Sequence, residues 1–110
     1  MIQEHIFFYA QKRIIRVRIA DILFVECNNS NMRIFCTGYV WDLRMSLDLL
    51  QIKLPPDMFV RIHRSYLVAI AHISFYKNGI VQLGDIELPV QNGKVSHFKA
   101  ALNIINRFIS

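Results

Sequence analysis

Three short polar segments interrupt an otherwise apolar chain: Asn28-Asn29-Ser30-Asn31-Met32-Arg33, Arg61-Ile62-His63-Arg64 and Gln91-Asn92-Gly93-Lys94. Their side chains are of the types that hold a nucleic acid. Arginine forks onto the O6/N7 edge of guanine, asparagine pairs with N6/N7 of adenine, and lysine and backbone N–H groups grip phosphates. Gly93 and Lys94, at the opening of a predicted helix, would add helix-terminal N–H groups to a phosphate site. A competing reading gives the same residues purely structural work, with Asn28–Asn31 as a hairpin turn and Arg61 as the partner of an acid.

Catalysis has less to stand on. His63, His72 and His97 with Glu26 supply acid–base groups of the kind a nuclease uses. No paired-carboxylate motif, glycine-rich phosphate loop, His-Glu-x-x-His or nucleophile elbow brackets them. His72 reads as a structural hydrogen-bonding residue of a strand. Cys27 and Cys36 lie nine apart without a Cys-x-x-Cys or a histidine at ligand spacing, which argues against zinc. They read instead as buried apolar side chains on two neighbouring strands. The expectation is a binding domain, not an enzyme, with no cofactor, no metal and no small-molecule substrate.

The charge balance agrees. Thirteen Lys and Arg against eight Asp and Glu leave +5 in 110 residues, a sign that suits a polyanion. Residues 1–18 carry Lys12, Arg13, Arg16 and Arg18 against Glu4, and residues 61–110 are basic again, whereas residues 19–60 are acidic on balance. With 54% apolar residues, four Gly and three Pro, the chain is neither disordered nor collagen-like. Its length suits one domain, residues 1–110. The longest clean apolar run, Tyr66–Ala71, is far short of the roughly 20 residues of a membrane span. Nor does Met1–Ala10, which holds Glu4 and His5, read as a signal peptide. A soluble, cytoplasmic protein without membrane contact is expected.

Short strands must position these segments. Arg13–Ile19 alternates, with Ile15, Val17 and Ile19 on one face and Arg16 and Arg18 on the other. Ile22–Glu26 is more continuously apolar and reads as a central strand. Met32–Thr37 returns after the Asn28–Asn31 turn, and Gly38 leads into a strand at Tyr39–Leu43. Ser46 can cap a short helix containing Leu47, Leu49, Leu50 and Ile52, with Asp48 near its positive end and Pro55-Pro56 stopping it. Phe59–Ile70 is a mixed segment. Lys77-Asn78-Gly79 turns a hairpin between Ile73–Tyr76 and Ile80–Leu83, and Ile86–Val90 forms the last strand. Val95, Phe98, Leu102, Ile105 and Ile109 then predict an amphipathic helix running to about residue 108. The fold class is mainly β: many short antiparallel strands with one short helix and one longer C-terminal helix.

Several of these stretches together resemble the LytTR family, the DNA-binding output domains of many bacterial two-component response regulators. The likeness begins near Lys12-Arg13-Ile14-Ile15-Arg16-Val17 and runs through Asp21-Ile22-Leu23-Phe24-Val25-Glu26-Cys27. It continues in Met32-Arg33-Ile34-Phe35, Leu43-Arg44-Met45-Ser46-Leu47 and Leu54-Pro55. Its most specific part is Phe59-Val60-Arg61-Ile62-His63-Arg64-Ser65-Tyr66-Leu67-Val68, and Leu88-Pro89-Val90 closes it. Nearly all of residues 12–102 is covered.

The resemblance implies an elongated arrangement of about ten strands and no recognition helix. It implies that loops enter successive major grooves of double-stranded DNA, on paired direct repeats occupied by two copies, with a homodimer on DNA as one form. Carried over by position, the first contact loop is Asn28–Arg33, with Met32 and Arg33 at the family's reader position, the second contact is Arg64, and the third is Gln91-Asn92-Gly93-Lys94. The expected DNA-binding residues are Asn29, Asn31, Met32, Arg33, His63, Arg64, Gln91, Asn92 and Lys94. Two positions depart from the family pattern. Asn92 stands where an arginine is usual, and Met32 is apolar where a hydrogen-bonding side chain is common; it would meet a thymine methyl instead. The 110 residues contain no receiver domain, which implies either an excised output domain or a protein controlled by a partner or by its amount. A protein-interaction module of the same fold, modulating a DNA-binding relative, is the alternative function.

Overall fold

The computed structural model describes residues 4–106. Its first element lies ahead of the first predicted strand. β1 (His5–Ala10) and β2 (Arg13–Arg18) form a hairpin, closed by Gln11 and Lys12 at φ 54° and 64°. Ile6, Phe8 and Ala10 point inward, as do Ile15 and Val17, while Phe7 and Tyr9 point outward. Those outward positions are apolar too, so β1 lacks the apolar–polar alternation that exposes β2 in the sequence.

After a 3₁₀ turn at Ile19–Asp21 come β3 (Ile22–Asn28), β4 (Asn31–Cys36) and β5 (Tyr39–Arg44). With β6 (Phe59–His63) and β7 (Tyr66–Ala69) they build an antiparallel sheet in the order β5-β4-β3-β7-β6. The predicted central strand is indeed in the middle. The mixed segment resolves into β6, a turn at Arg64-Ser65, and β7. A separate meander holds β8 (Phe75–Lys77), β9 (Ile80–Leu83) and β10 (Ile86–Pro89), its first turn made by Asn78 and Gly79 at φ 51° and 81°. Positive φ at both turn residues is what a tight hairpin with right-handed strand twist requires.

Both faces of the five-stranded sheet are covered. On one face the hairpin's Ile6, Phe8, Ile15 and Val17 and helix α1 (Leu47–Lys53) pack over Val25, Cys27, Met32, Ile34 and Leu67. On the other, the meander's Val81, Leu83 and Leu88 and helix α2 (Val95–Ala101) pack over Phe24, Val60, Ile62 and Val68. α1 starts as predicted, the Ser46 hydroxyl accepting the Leu49 N–H at 3.2 Å. Cys27 and Cys36 are buried free thiols on the adjacent strands β3 and β4. Trp41 of β5 sits at the seam with the hairpin, 5.6 Å below the Arg13 guanidinium and edge-on to Tyr39.

The C-terminal helix is shorter than the pattern predicts. α2 follows a 3₁₀ turn at Asn92–Lys94 and ends at Ala101, with Leu102 extended at φ −91°, ψ 148°. Of the expected stripe, Phe98 is fully buried, and Val95 and Leu102 pack beside it. Ile105 is 90% exposed, and Ile109 lies outside the described residues. Packing of an apolar face, more than periodicity, sustains a helix. Asn103, Ile104, Ile105 and Asn106 are poor helix formers with no packed surface to compensate. The described residues extend 54 × 32 × 25 Å, the elongated form expected. Among them no helix is long and apolar enough to cross a membrane.

Candidate nucleic-acid interface

Two hairpin tips and a strand end form one rim of the sheet. The first tip is tight: Asn28 pairs with Asn31, leaving Asn29 and Ser30 as the turn, with Asn29 at φ 58°. Asparagine tolerates this left-handed conformation better than most residues. The tip is braced from β5 and the chain beyond it. Met45 N–H donates to the Ser30 carbonyl at 2.9 Å, and an Arg44 Nη1–H donates to Asn31 Oδ1 at 2.9 Å. Beneath it the Cys27 thiol donates to the carbonyls of Asn29 (3.0 Å) and Met45 (3.3 Å). Burial pushes that thiol's pKa up.

Because β4 already begins at Asn31, the pleat decides where the next side chains go. Met32 faces inward and is 2% exposed. It belongs to the core and cannot meet a thymine methyl from there, so the assignment of Met32 as a reader is corrected. Arg33 faces outward but is engaged across the sheet, its Nε–H donating to Asp42 Oδ1 at 2.7 Å. That pair is half exposed on both sides, so exchanging it for another anion costs little.

The second tip is the turn between β6 and β7. Backbone N–H of Cys27 donates to the Ser65 carbonyl at 2.9 Å, which sets the two tips side by side. Arg61 organises the turn from below. Its Nε–H reaches the His63 carbonyl (2.8 Å), Nη2 the Arg64 carbonyl (2.6 Å), and Nη1 both Asp48 Oδ1 (2.9 Å) and Gln51 Oε1 (3.1 Å). The expectation that Arg61 pairs with an acid holds, and α1 supplies that acid. His63 is also engaged: Nδ1 accepts the Ser65 N–H at 3.0 Å, and the ring lies 5.2 Å from that of Tyr66. This leaves Nε2 as the ring nitrogen without a partner among the described residues. Burial first, then the neighbouring Glu26 carboxylate, pushes the Tyr66 phenol pKa up.

Arg64 differs from all of these. Its backbone is fixed by Arg61 and by Gln91, whose Oε1 accepts the Arg64 N–H at 2.9 Å. Its side chain is exposed and, among the described residues, makes no hydrogen bond or ion pair. An open cleft of about 440 Å³, lined by Asn28, Asn29, Asp48, Arg61, Arg64 and Ser65 among others, joins it to the first tip.

The third segment joins through Gln91, whose own N–H donates to the Ile62 carbonyl at 2.8 Å. Gln91 therefore acts as a clamp between the second and third segments. Asn92 is exposed and Lys94 half-buried. The Lys94 N–H is taken by the Gln91 carbonyl at 2.8 Å, so its contribution is the ammonium and not a helix-terminal N–H. Asn29, Arg64, Gln91 and the chain on to Lys94 thus share one rim, with Asn31 and Arg33 on its flank and Met32 withdrawn. Residue types alone did not single out Gln51 or Arg44 as supports. A signal for Arg44 exists: it is the cross-strand partner of Asn31 once the β4–β5 register is known.

The acid–base candidates do not converge in the same way. His72 Nε2 lies 2.8 Å from the Ala20 carbonyl, and His97 sits on α2. Among the described residues no three His, Cys, Asp or Glu side chains group as metal ligands do.

A family model described as the LytTr DNA-binding domain matches residues 12–103. The chain belongs to the LytTR family. A solved LytTr DNA-binding domain, from a putative methyl-accepting/DNA response regulator of Bacillus cereus, superimposes with a TM-score of 0.78 at 19% identity. The match covers 93% of this chain and 99% of that one, and shows the shared fold. Among curated proteins, the LytTR chain is 27% identical over 96 residues to the CO-responsive transcriptional regulator RcoM of Rhodospirillum rubrum. It is 29% identical over 100 residues to the transcriptional regulatory protein YpdB of Escherichia coli K12. These alignments cover 80% and 84% of this chain but 40% and 41% of the relatives, so it spans about two fifths of their length.

Proposed function

We propose that this LytTR domain is the sequence-reading part of a transcriptional regulator, and that it contacts the major grooves of duplex DNA through the rim. The observation that carries this is the state of Arg64. A main chain held by Arg61 and Gln91 presents an exposed guanidinium with no partner among the described residues. An unengaged fork on a fixed backbone suits a guanine edge, where a bidentate pair discriminates by about 1–3 kcal/mol. Asn29 on the neighbouring tip and Asn92 beyond the clamp supply amides for adenine. Lys94 supplies phosphate attraction, with Arg33 in reserve once Asp42 gives it up. His63 orders the turn through Nδ1 and offers Nε2. Two copies would occupy paired direct repeats, and binding rather than catalysis is the activity.

Selection of duplexes from a random pool, followed by anisotropy titration across salt, tests the proposal. A shared selected motif and an affinity falling steeply between low and physiological salt are expected. Flat salt dependence or no binding at low salt refutes it, and leaves the interaction module of the same fold.

A further inference from the structure

The outward face of the first hairpin takes no part in the rim. Antiparallel pairing sets Phe7 opposite Arg16, Tyr9 opposite Ile14 and His5 opposite Arg18 on that face. Phe7, Tyr9 and Ile14 are 61%, 80% and 59% exposed, an unusual cluster of bare apolar side chains for one short hairpin. Beside it runs an open groove of about 460 Å³, lined by Ile6, Phe7, Phe8, Tyr9, Leu43 and Met45, with Arg44 and Lys53 as its charged residues. No residue of the rim cleft lines it.

We propose that this groove and the adjoining aromatic face receive an extended segment of a partner protein, apolar side chains flanked by carboxylates. Three independent features select that occupant. Aromatic and arginine side chains, with few acids, are the composition of energetic centres in protein–protein contacts. Every charged side chain lining the groove is a cation, as are Arg16 and Arg18 on the face beside it, so the complementary partner is acidic. Finally, β1 pairs only with β2 among the described residues. Along residues 6–10 its other edge has no strand partner among the described residues, so an extended segment laid there would place alternate side chains into the groove. Duplex DNA fits the face poorly, because its bases are stacked inside the helix and offer no unstacked surface to exposed aromatic rings. Arg44 touches both regions, lining the groove while donating to Asn31 at the first tip, so a seated segment lies next to the rim without occupying it.

Random 12-residue peptides displayed on phage are selected on the wild-type domain and depleted on Tyr9→Ser. Recovered peptides are then titrated by calorimetry against wild type, Tyr9→Ser and Lys53→Glu, all exposed changes, with amide spectra confirming the fold. The expected peptides carry Asp or Glu around Leu, Ile or Phe, and lose about tenfold or more in affinity on Tyr9→Ser and several-fold on Lys53→Glu. Binding of both variants to duplex DNA stays at the wild-type level, which separates this site from the rim. Failure to enrich, peptides without acidic residues, or equal affinity for the variants overturns the proposal. It is equally overturned if wild type self-associates in sedimentation and Tyr9→Ser does not, since a second copy then covers the face. Binding of a dT12 single strand that Tyr9→Ser abolishes overturns it as well.

Discussion

Replacing Arg61 with alanine removes the brace under the second tip while leaving the side chain of every exposed reader unchanged. Its guanidinium makes four contacts and is 15% exposed, whereas its partner Asp48 is 87% exposed. The Asp48 arm, open to water, is worth about 0–1 kcal/mol. Hydrogen bonds from a charged donor are worth about 1.5–3 kcal/mol each, and water reaching the vacated carbonyls of His63 and Arg64 returns part of that. The sum is about 2–3 kcal/mol of stability, read as a drop of roughly 1–2 M in the urea midpoint for an m-value near 1.5 kcal/mol/M. Because the lost bonds fix the turn that carries Arg64, DNA affinity should fall about tenfold as well. Arg61→Lys should restore little, since an ammonium cannot fork to two carbonyls and a carboxylate. Arg64→Ala is the control: about 1–3 kcal/mol of specific binding lost, with the urea midpoint unchanged. Denaturation followed by circular dichroism and anisotropy on the selected duplex read the two quantities separately. An Arg61→Ala protein as stable as wild type, or an Arg64→Ala protein that is destabilised, refutes the division of labour between brace and reader.

Other outcomes follow from the same geometry. Met32→Ala should cost about 2–5 kcal/mol of stability, as truncation of a buried methionine does, and leave the selected DNA motif unchanged; a changed motif would return Met32 to the surface. Lys94→Ala should weaken binding to all duplexes alike and reduce the salt slope by about one unit, as titrations at several salt concentrations would show. Asn29→Val should lower the urea midpoint and Asn29→Gly should not, because φ 58° suits glycine and strains a β-branched residue. Burial pushes the Cys36 thiol up from 9.0 to about 11. The unfolded chain therefore loses this proton first, and the contribution is complete below pH 9 and declines as pH rises towards 11. Urea midpoints across that range should fall for wild type and fall less for Cys36→Ala.

What the sequence disclosed depended on whether local pattern or long-range register decided the outcome. The Ser46 cap, the Asn78-Gly79 turn and the alternation of β2 are local, and each is found where expected. Met32 and Arg33 are not local questions. One faces the core and the other pairs with Asp42 because β4 starts at Asn31 and lies beside β5 in a fixed register. β1 is not legible from periodicity because Phe7 and Tyr9 erase its alternation. The apolar pattern overextends the C-terminal helix because periodicity continues past Ala101 while the surface it would cover does not. The candidate rim was legible as three segments, but not the hydrogen bonds through Gln91, Arg61 and Arg44 that fasten them together.

The chain has a single tryptophan, and its place has a practical consequence. Trp41 lies where the first hairpin meets β5, its indole N–H buried without an acceptor among the described residues. Its strand is the one whose Leu43 and Arg44 line the groove. Indole emission is therefore an intrinsic optical gauge of that junction. It should shift when the hairpin lifts off or the groove fills, and respond less when a duplex docks at the reading tips, which β5 reaches through Arg44.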